Sequence, residues 1–274
     1  MTTLVTARAS RATAVGRVRG LTDAAPPLAV FIAVVAIWEA ALTGLNVRQF
    51  LLPKPSVILS AVGDQWSVLQ QGLTYTGSEA LGGLVVGLVL GIAAAFAIAR
   101  WSTARELLMP IAVGASSIPI IAFAPITSAW FSSQSPLARI AIVTVMVFFP
   151  VVVNTVRGLT NVDPAAIELM RSYAASDVAI MRRLRIPNAM PYFFTALRIA
   201  ATLAVIGAVI GEYFGGPRYA LGIYISSEAY VFRYANAWAG ILMACLLGIG
   251  FYLVVLALER LAIPWQTAKR AADA

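Results

Sequence analysis

Long apolar runs separated by short polar stretches dominate the hydropathy pattern of this chain. Each run is long enough to cross ~30 Å of hydrocarbon as a helix that rises about 1.5 Å per residue. The pattern predicts six membrane-spanning helices, at about residues 27–45, 80–99, 107–131, 137–157, 191–213 and 238–262. The predicted fold class is therefore all-α and polytopic, with one transmembrane domain over residues 26–262.

Three polar segments flank or interrupt this domain. Residues 1–25 are small and basic and predict a disordered cytoplasmic tail, and residues 263–274 predict a second cytoplasmic tail. In the outer loop 46–79, apolar residues recur every three or four positions and predict a short amphipathic helix. These residues are Ile58, Val62, Trp66 and Leu69. Packing against the bundle and a role in substrate entry both remain open for this helix.

The composition excludes several kinds of chemistry. Charged residues make up 12% of the chain, about half of what a soluble domain carries. The chain has no histidine, so the commonest metal ligand and general base is missing, and we predict no catalytic residue and no metal site. Neither lysine, Lys54 or Lys269, follows a glycine, which excludes the phosphate-binding Gly-Lys-Ser/Thr loop. We therefore expect no bound cofactor and no ATPase site on this chain.

The net charge of +8 is better explained by membrane topology than by nucleic-acid binding. With the N-terminus inside, fourteen basic residues fall on the cytoplasmic side and five fall outside. The five are Arg48, Lys54, Arg139, Arg218 and Arg233, while Arg198 falls within the fifth span. Positive residues are retained in the cytoplasm, so both termini and the 158–190 loop are predicted to be cytoplasmic.

The 163–187 segment is a polar, Arg-rich island between the fourth and fifth spans. Asp163-Pro164 is a favourable helix start, with an acceptor side chain at the cap and proline at the first helical position. Ser176-Asp177 offers a second start. The segment thus predicts two short helices joined by a bend near Ala174-Ala175, with Pro187 and Pro191 ending the second before the fifth span.

This island resembles the cytoplasmic EAA loop of permease subunits of ABC importers. Glu168 and Pro187 match that pattern at the family spacing, and Ala174 stands where the family has glycine. In such permeases the loop meets the ATPase. The resemblance therefore implies an ATPase-coupling role for Glu168, Ser172, Ala174, Ala175, Ser176, Asp177, Arg182 and Pro187.

The resemblance extends across residues 26–262. The 51–56 and 117–131 segments are similar to permeases for nitrate, taurine, aliphatic sulfonates and pyrimidine precursors of thiamine, although Ser132 replaces the usual glycine after Trp130-Phe131. It implies a type I importer fold in the bacterial inner membrane. The implied partners are a second copy in a homodimer, two ATPase subunits carrying ATP and Mg, and an extracytoplasmic binding protein, with no nucleic acid.

The third and fifth spans contain candidate pathway residues. Prolines free backbone groups that lipid cannot satisfy, so a broken span favours a cavity or a protein contact. The candidates are Ser116, Ser117, Pro119, Pro125, Gly207, Gly211 and Glu212. Two alternatives remain open: the serines could bond back to their own helix, and Glu212 could be a gate, a partner of Arg218 or an interfacial acid.

Two other classes of membrane protein fit the sequence less well than an importer permease. A secondary carrier or channel would need coupling groups near the midplane, where Glu39 is the one candidate, and no inverted repeat is obvious. An intramembrane enzyme would need a nucleophile and base or paired acids, which the spans do not offer. The spans contain no basic cluster, which favours a weakly charged or aromatic solute over nitrate.

Overall fold

A computed structural model describes residues 26–48 and 52–264 of the chain. These residues form eleven α-helices, with a 3₁₀ turn at Ile120–Phe123 and a π-helical turn at Met181–Arg185. The helices are α1 Pro26–Gly44, α2 Pro55–Asp64, α3 Trp66–Arg100, α4 Ser102–Ala115, α5 Ala124–Phe131, α6 Pro136–Thr160, α7 Pro164–Ser172, α8 Asp177–Ile180, α9 Ile186–Glu212, α10 Leu221–Tyr230 and α11 Tyr234–Ala262. The predicted tail at 1–25, and 265–274 of the second tail, lie outside the described residues.

The multi-pass, all-helical class is confirmed. Five described helices are long and apolar enough to cross a membrane: α1, α3, α6, α11 and the continuous stretch Asp177–Glu212. The third predicted span, at about 107–131, is a bent pair, Thr103–Ala115 and Ile120–Phe131, with 85° between its halves. The break lies at Pro119, whereas Pro125 sits in the first turn of α5, where its missing N–H removes no helical bond.

Two predicted boundaries were wrong. The second span begins at Trp66 and not near residue 80, since the polar residues before Glu79 lower the local hydropathy without breaking the helix. The predicted amphipathic helix is likewise split after Asp64, so Trp66 and Leu69 belong to α3. Ile58 and Leu69 are buried, which supports packing against the bundle.

The core is formed by α3, α6 and α9, and glycines allow α3 and α6 to approach closely. The α3 glycines at four-residue spacing each face an α6 valine: Gly83 faces Val143, Gly87 faces Val147 and Gly91 faces Val151. A Cβ added at Gly83 would lie 2.3 Å from the Cβ of Val143. No side chain fits at that distance, so this glycine series allows α3 and α6 to pack in direct contact.

Two apolar helices are left on the periphery of the chain. Only 6% of the apolar window of α1 and 11% of that of α11 is buried, so most of their side chains face away from the fold. Trp38 of α1 contacts Trp238 of α11 edge-on, with 5.6 Å between ring centroids. These outer faces are suited to lipid or to another membrane helix.

Candidate functional site

Both predicted helix starts in the 163–187 segment are confirmed. The Asp163 carboxylate accepts a hydrogen bond from the Ala165 N–H at 3.0 Å, and Pro164 opens α7. The Ser176 hydroxyl oxygen accepts from the Ala179 N–H at 3.2 Å at the start of α8. Both caps use side chains a few residues from the amides they satisfy, which is why the sequence was sufficient to predict them.

The bend between the two helices is a Schellman closure. The Ala174 N–H donates to the Arg171 carbonyl at 2.9 Å, and the Ala175 N–H donates to the Met170 carbonyl at 3.0 Å. Ala174 has φ +54°, the left-handed conformation that glycine adopts without strain. Alanine at the family's glycine position is therefore held in a strained conformation.

Replacing Ala174 with glycine is expected to relieve about 1 kcal/mol of strain and stabilise the bend. Amide hydrogen exchange at Tyr173 and Ala175 should slow by about fivefold. Ala175→Gly is the matched control, because Ala175 is not among the residues with positive φ. Equal or faster exchange in Ala174→Gly than in the wild type would contradict the strain assignment.

The α7–α8 segment exposes large apolar side chains, although the segment as a whole is rich in polar and basic residues. No residue of α7 is buried, and Leu169, Tyr173 and Val178 are 59%, 80% and 76% exposed. Glu168 is exposed beside them, as are Ser172, Ala174, Ser176, Asp177, Arg182 and Pro187, while Ala175 is half-buried. Exposed large apolar side chains clustered around one acid are typical of a protein interface.

The segment is joined to the core without a break. Pro187 and Pro191 were predicted to end the second helix, and this was wrong: α8, the π-helical turn and α9 form one stretch over Asp177–Glu212. Pro187 lies in the first turn of α9, and Pro191 is accepted within the helix. A force on α8 would therefore act directly on α9, one of the three core helices.

The third-span candidates lie mainly on the outside of the single chain. Ser116, Ser117, Pro119 and Pro125 are exposed, and Thr127 is buried. The Ser116 hydroxyl donates to the Val113 carbonyl at 2.6 Å, so its side chain bonds back to its own helix. Their role in a pathway stays a prediction.

The fifth-span candidates are buried against other helices. A Cβ added at Gly207 would lie 2.6 Å from the Met146 sulfur, and one at Gly211 would lie 2.9 Å from Cγ of Arg139. Glu212 is fully buried and accepts hydrogen bonds at 2.6 Å from the Thr76 hydroxyl and the Gly222 N–H. Both glycines therefore allow close packing of α9 on α6, and the pathway role of all three residues also stays a prediction.

Beside Glu212 lies a buried ion pair that the sequence analysis missed. Arg139 Nε donates to Glu79 Oε1 at 2.6 Å, and both side chains are 1% exposed. Arg139 also donates to the Tyr75 hydroxyl and to the carbonyls of Ser133 and Gly215, each at 2.9 Å. These bonds connect α3 and α6 to the loops after α5 and α9.

Arg139 was counted with the residues on the outer side, and it lies in the first turn of α6, which begins at Pro136. Among the described residues the ion pairs are Arg139–Glu79 and Arg198–Glu259, so Glu212 does not pair with Arg218. A charge inside an apolar run requires a partner, and this was the available signal. Along α6, Arg139 lies 21 positions before Thr160, which is ~32 Å along the helix axis. The ion pair is therefore at the end of α6 that is far from α7.

A groove with polar and aromatic lining residues lies beside this network. It has a volume of about 480 Å³ and is lined by Gln71, Thr74, Tyr75, Ser78 and Tyr219. The rings of Tyr75 and Tyr219 meet edge-on with centroids 5.5 Å apart. Its lining offers amide and hydroxyl groups and two aromatic rings, with no charged side chain.

The fold and this segment together define a multi-pass helical membrane protein with a polar, interface-like connection between two core spans. Residues 87–266 match the family described as the binding-protein-dependent transport system inner membrane component. The chain belongs to this family, whose members are permease subunits of ABC importers. The resemblance found in the 163–187 segment is therefore confirmed.

Individual relatives of the chain are also named as transport permeases. The chain is 31% identical to the formylaminopyrimidine transport permease protein ThiX of Halalkalibacterium halodurans, over 89% of this chain and 97% of the relative. It is 26% identical to the riboflavin transport system permease protein RibX of Chloroflexus aurantiacus, over 85% and 87%. Other relatives are permeases named for aliphatic sulfonates, taurine and nitrate, the predicted group.

The fold is also that of a solved transporter. An inward-facing structure of the MetNI methionine ABC transporter matches with a TM-score of 0.60 and 19% identity, over 72% of this chain and 97% of the matched chain. At this identity the likeness shows the fold, which is the predicted importer permease fold.

Proposed function

We propose that this chain forms the solute pathway of an ATP-driven importer and is driven by a separate ATPase through the 163–187 segment. The observation that carries the proposal is the exposed, doubly capped α7–α8 segment, which is continuous with the core helix α9. Closure of the ATPases would push on α7 and α8, and α9 would transmit the movement across the membrane. The chain itself supplies no ATPase site; ATP and Mg belong to the partner.

The complete pump contains two copies of this chain, two ATPase subunits and an extracytoplasmic binding protein. The exposed apolar faces of α1, α4 and α5 give a second copy ample surface to pack against. The proposed orientation places both termini and the 158–190 loop in the cytoplasm, as the basic residues favour. The α7–α8 surface would then face the ATPases, and the groove lined by Tyr75 and Tyr219 would face the binding protein.

The orientation can be tested by labelling with a thiol reagent that does not cross membranes. Cys245, which is exposed on α11, is first replaced with serine. A cysteine at Gln70 should then react from outside, and one at Ser176 should react only after the membrane is opened. Both side chains are exposed in the fold, so access differs only by membrane side. The reverse labelling pattern would contradict the orientation.

The broken third span would line the cavity shared by the two copies, together with the Gly207–Glu212 part of α9. Bare backbone groups at the Pro119 break would each cost several kcal/mol in hydrocarbon. Water in a cavity, or a contact with the second copy, removes that cost. The exposure of Ser116 and Ser117 in the single chain fits either arrangement.

Ser117→Trp is expected to block solute uptake almost completely, because the indole would fill the pathway. Dimer assembly and ATPase binding should persist, as measured by size-exclusion chromatography of the assembled complex. Ser226→Trp is the matched control, since Ser226 is also exposed but lies in α10. Normal uptake by Ser117→Trp would assign the third span to packing alone.

The proposed solute is a small, weakly charged heteroaromatic compound of the pyrimidine-precursor class. The similarity to ThiX over nearly its whole length supports this class, as does the uncharged, tyrosine-containing groove. Edge and face contacts of tyrosine suit an aromatic ring, and the amide and hydroxyl groups suit ring substituents. A sulfonate or nitrate would instead need a fixed positive charge in the lining.

Uptake into proteoliposomes tests the function. The permease is reconstituted with its ATPase and binding protein, and uptake of labelled formylaminopyrimidine is compared with that of taurine. Uptake should require both the ATPase and ATP, and the pyrimidine should be preferred. Uptake without the ATPase would favour the alternative, a secondary carrier or channel. ATP-dependent uptake of taurine alone would keep the importer and replace the solute class.

A further inference from the structure

A groove of about 690 Å³ lies between the end of α3 and the α7–α8 segment. Arginines from three separate elements line it: Arg100 from α3, Arg171 from α7, and Arg182 and Arg185 from the π-helical turn. Asp177 is the one carboxylate among its lining residues. The remaining lining is mainly aliphatic.

The positive charge of this groove is largely uncompensated. None of the four arginines forms an ion pair with a described residue. Membrane topology explains why arginines are found at this end of the bundle, but it does not require four of them to converge on one cavity. Arg183 is an arginine at this end of the bundle that does not converge on the groove: it is exposed on the same π-helical turn but does not line the cavity.

The groove lies where the core helix α3 ends and the core helix α9 begins. Arg100 is the last residue of the long apolar helix α3, and Ile186 is the first residue of α9. Trp101, which follows Arg100, is 61% exposed, and tryptophan is enriched at the membrane–water interface. Ile180 and Ile186 give the groove an apolar floor beneath the guanidinium groups.

We propose that this groove binds the phosphate headgroup of an anionic phospholipid. Guanidinium groups pair with phosphate oxygens through charge-assisted, often bidentate hydrogen bonds. The aliphatic floor contacts the glycerol and the first methylenes of the acyl chains. Basic pockets between membrane helices recognise such headgroups. A bound lipid would connect α3 with α7 and the π-helical turn, beside the exposed Val178 of the α7–α8 surface.

Lipid binding to the purified full-length permease in detergent tests this site. Native mass spectrometry measures the affinity for phosphatidylglycerol and for phosphatidylcholine with the same acyl chains. The wild type should prefer phosphatidylglycerol, and R182Q/R185Q should bind it about thirtyfold more weakly, on a scale of roughly 1 kcal/mol per basic residue. R183Q is the matched control and should bind like the wild type. R182K/R185K keeps the charge and should retain most of the affinity.

Several outcomes would overturn the proposal. Unchanged phosphatidylglycerol binding by R182Q/R185Q would remove the groove as the site, and equal binding of phosphatidylcholine would remove the headgroup charge as its basis. Inorganic phosphate binding as tightly as phosphatidylglycerol would assign the groove to a soluble anion. If R182Q/R185Q aggregates, R100Q tests the same groove from α3. The lipid-binding assay contains no ATPase. A negative result would therefore not bear on the proposed coupling role of the 163–187 segment.

Discussion

Glu168→Lys is expected to abolish solute-stimulated ATP hydrolysis by the assembled importer while the permease still inserts into the membrane. Glu168 is exposed on α7, between apolar side chains that have no partner within the described chain. Reversing a charge at the centre of a protein interface costs several kcal/mol, so docking should weaken by about a hundredfold or more. The mutation buries nothing new in the permease, and its fold should be unaffected.

The measurement is ATP hydrolysis by the reconstituted complex with and without loaded binding protein. Glu106→Lys is a matched control, because Glu106 is an exposed acid on a different helix, α4. It should keep full stimulation. Normal stimulation in Glu168→Lys would remove the docking role of α7.

The α7–α8 segment could be predicted in detail because its determinants are local. Asp163 and Ser176 cap amides two and three residues away, so a single sequence contains the whole interaction. The two positions where family glycines are replaced, Ala174 and Ser132, both have positive φ, at +54° and +70°. The departures from the family pattern therefore mark two residues whose backbone has positive φ.

The buried polar network could not be predicted in the same way. Glu79 and Arg139 are 60 positions apart, and Thr76 and Glu212 are 136 apart, so the pairing depends on how α3, α6 and α9 pack. Thr76 and Glu79 also lower the hydropathy of the first part of α3. The hydropathy pattern therefore placed the start of this span too late. In the proposed arrangement two copies of the chain share the pathway, so its lining depends on contacts between copies.

Arg139→Gln is expected to destabilise the permease by about 3–5 kcal/mol, because it leaves the Glu79 carboxylate buried without its charge partner. It also removes donors from Tyr75 and from the carbonyls of Ser133 and Gly215. The two helices and two loops at this end of the bundle would lose their common connection. Thermal unfolding in detergent should show a midpoint lower by on the order of 10 °C.

Arg198→Gln provides the matched control for this loss. Arg198 pairs with Glu259 at 3.1 Å, and these side chains keep 20% and 9% exposure, against 1% for each side chain of the Arg139–Glu79 pair. Its midpoint should fall much less. Glu79→Gln combined with Arg139→Gln should be less destabilising than the sum of the two single changes, since neither charge is then left alone. Strict additivity, or an unchanged midpoint in Arg139→Gln, would show that the pair does not stabilise the outer end of the bundle.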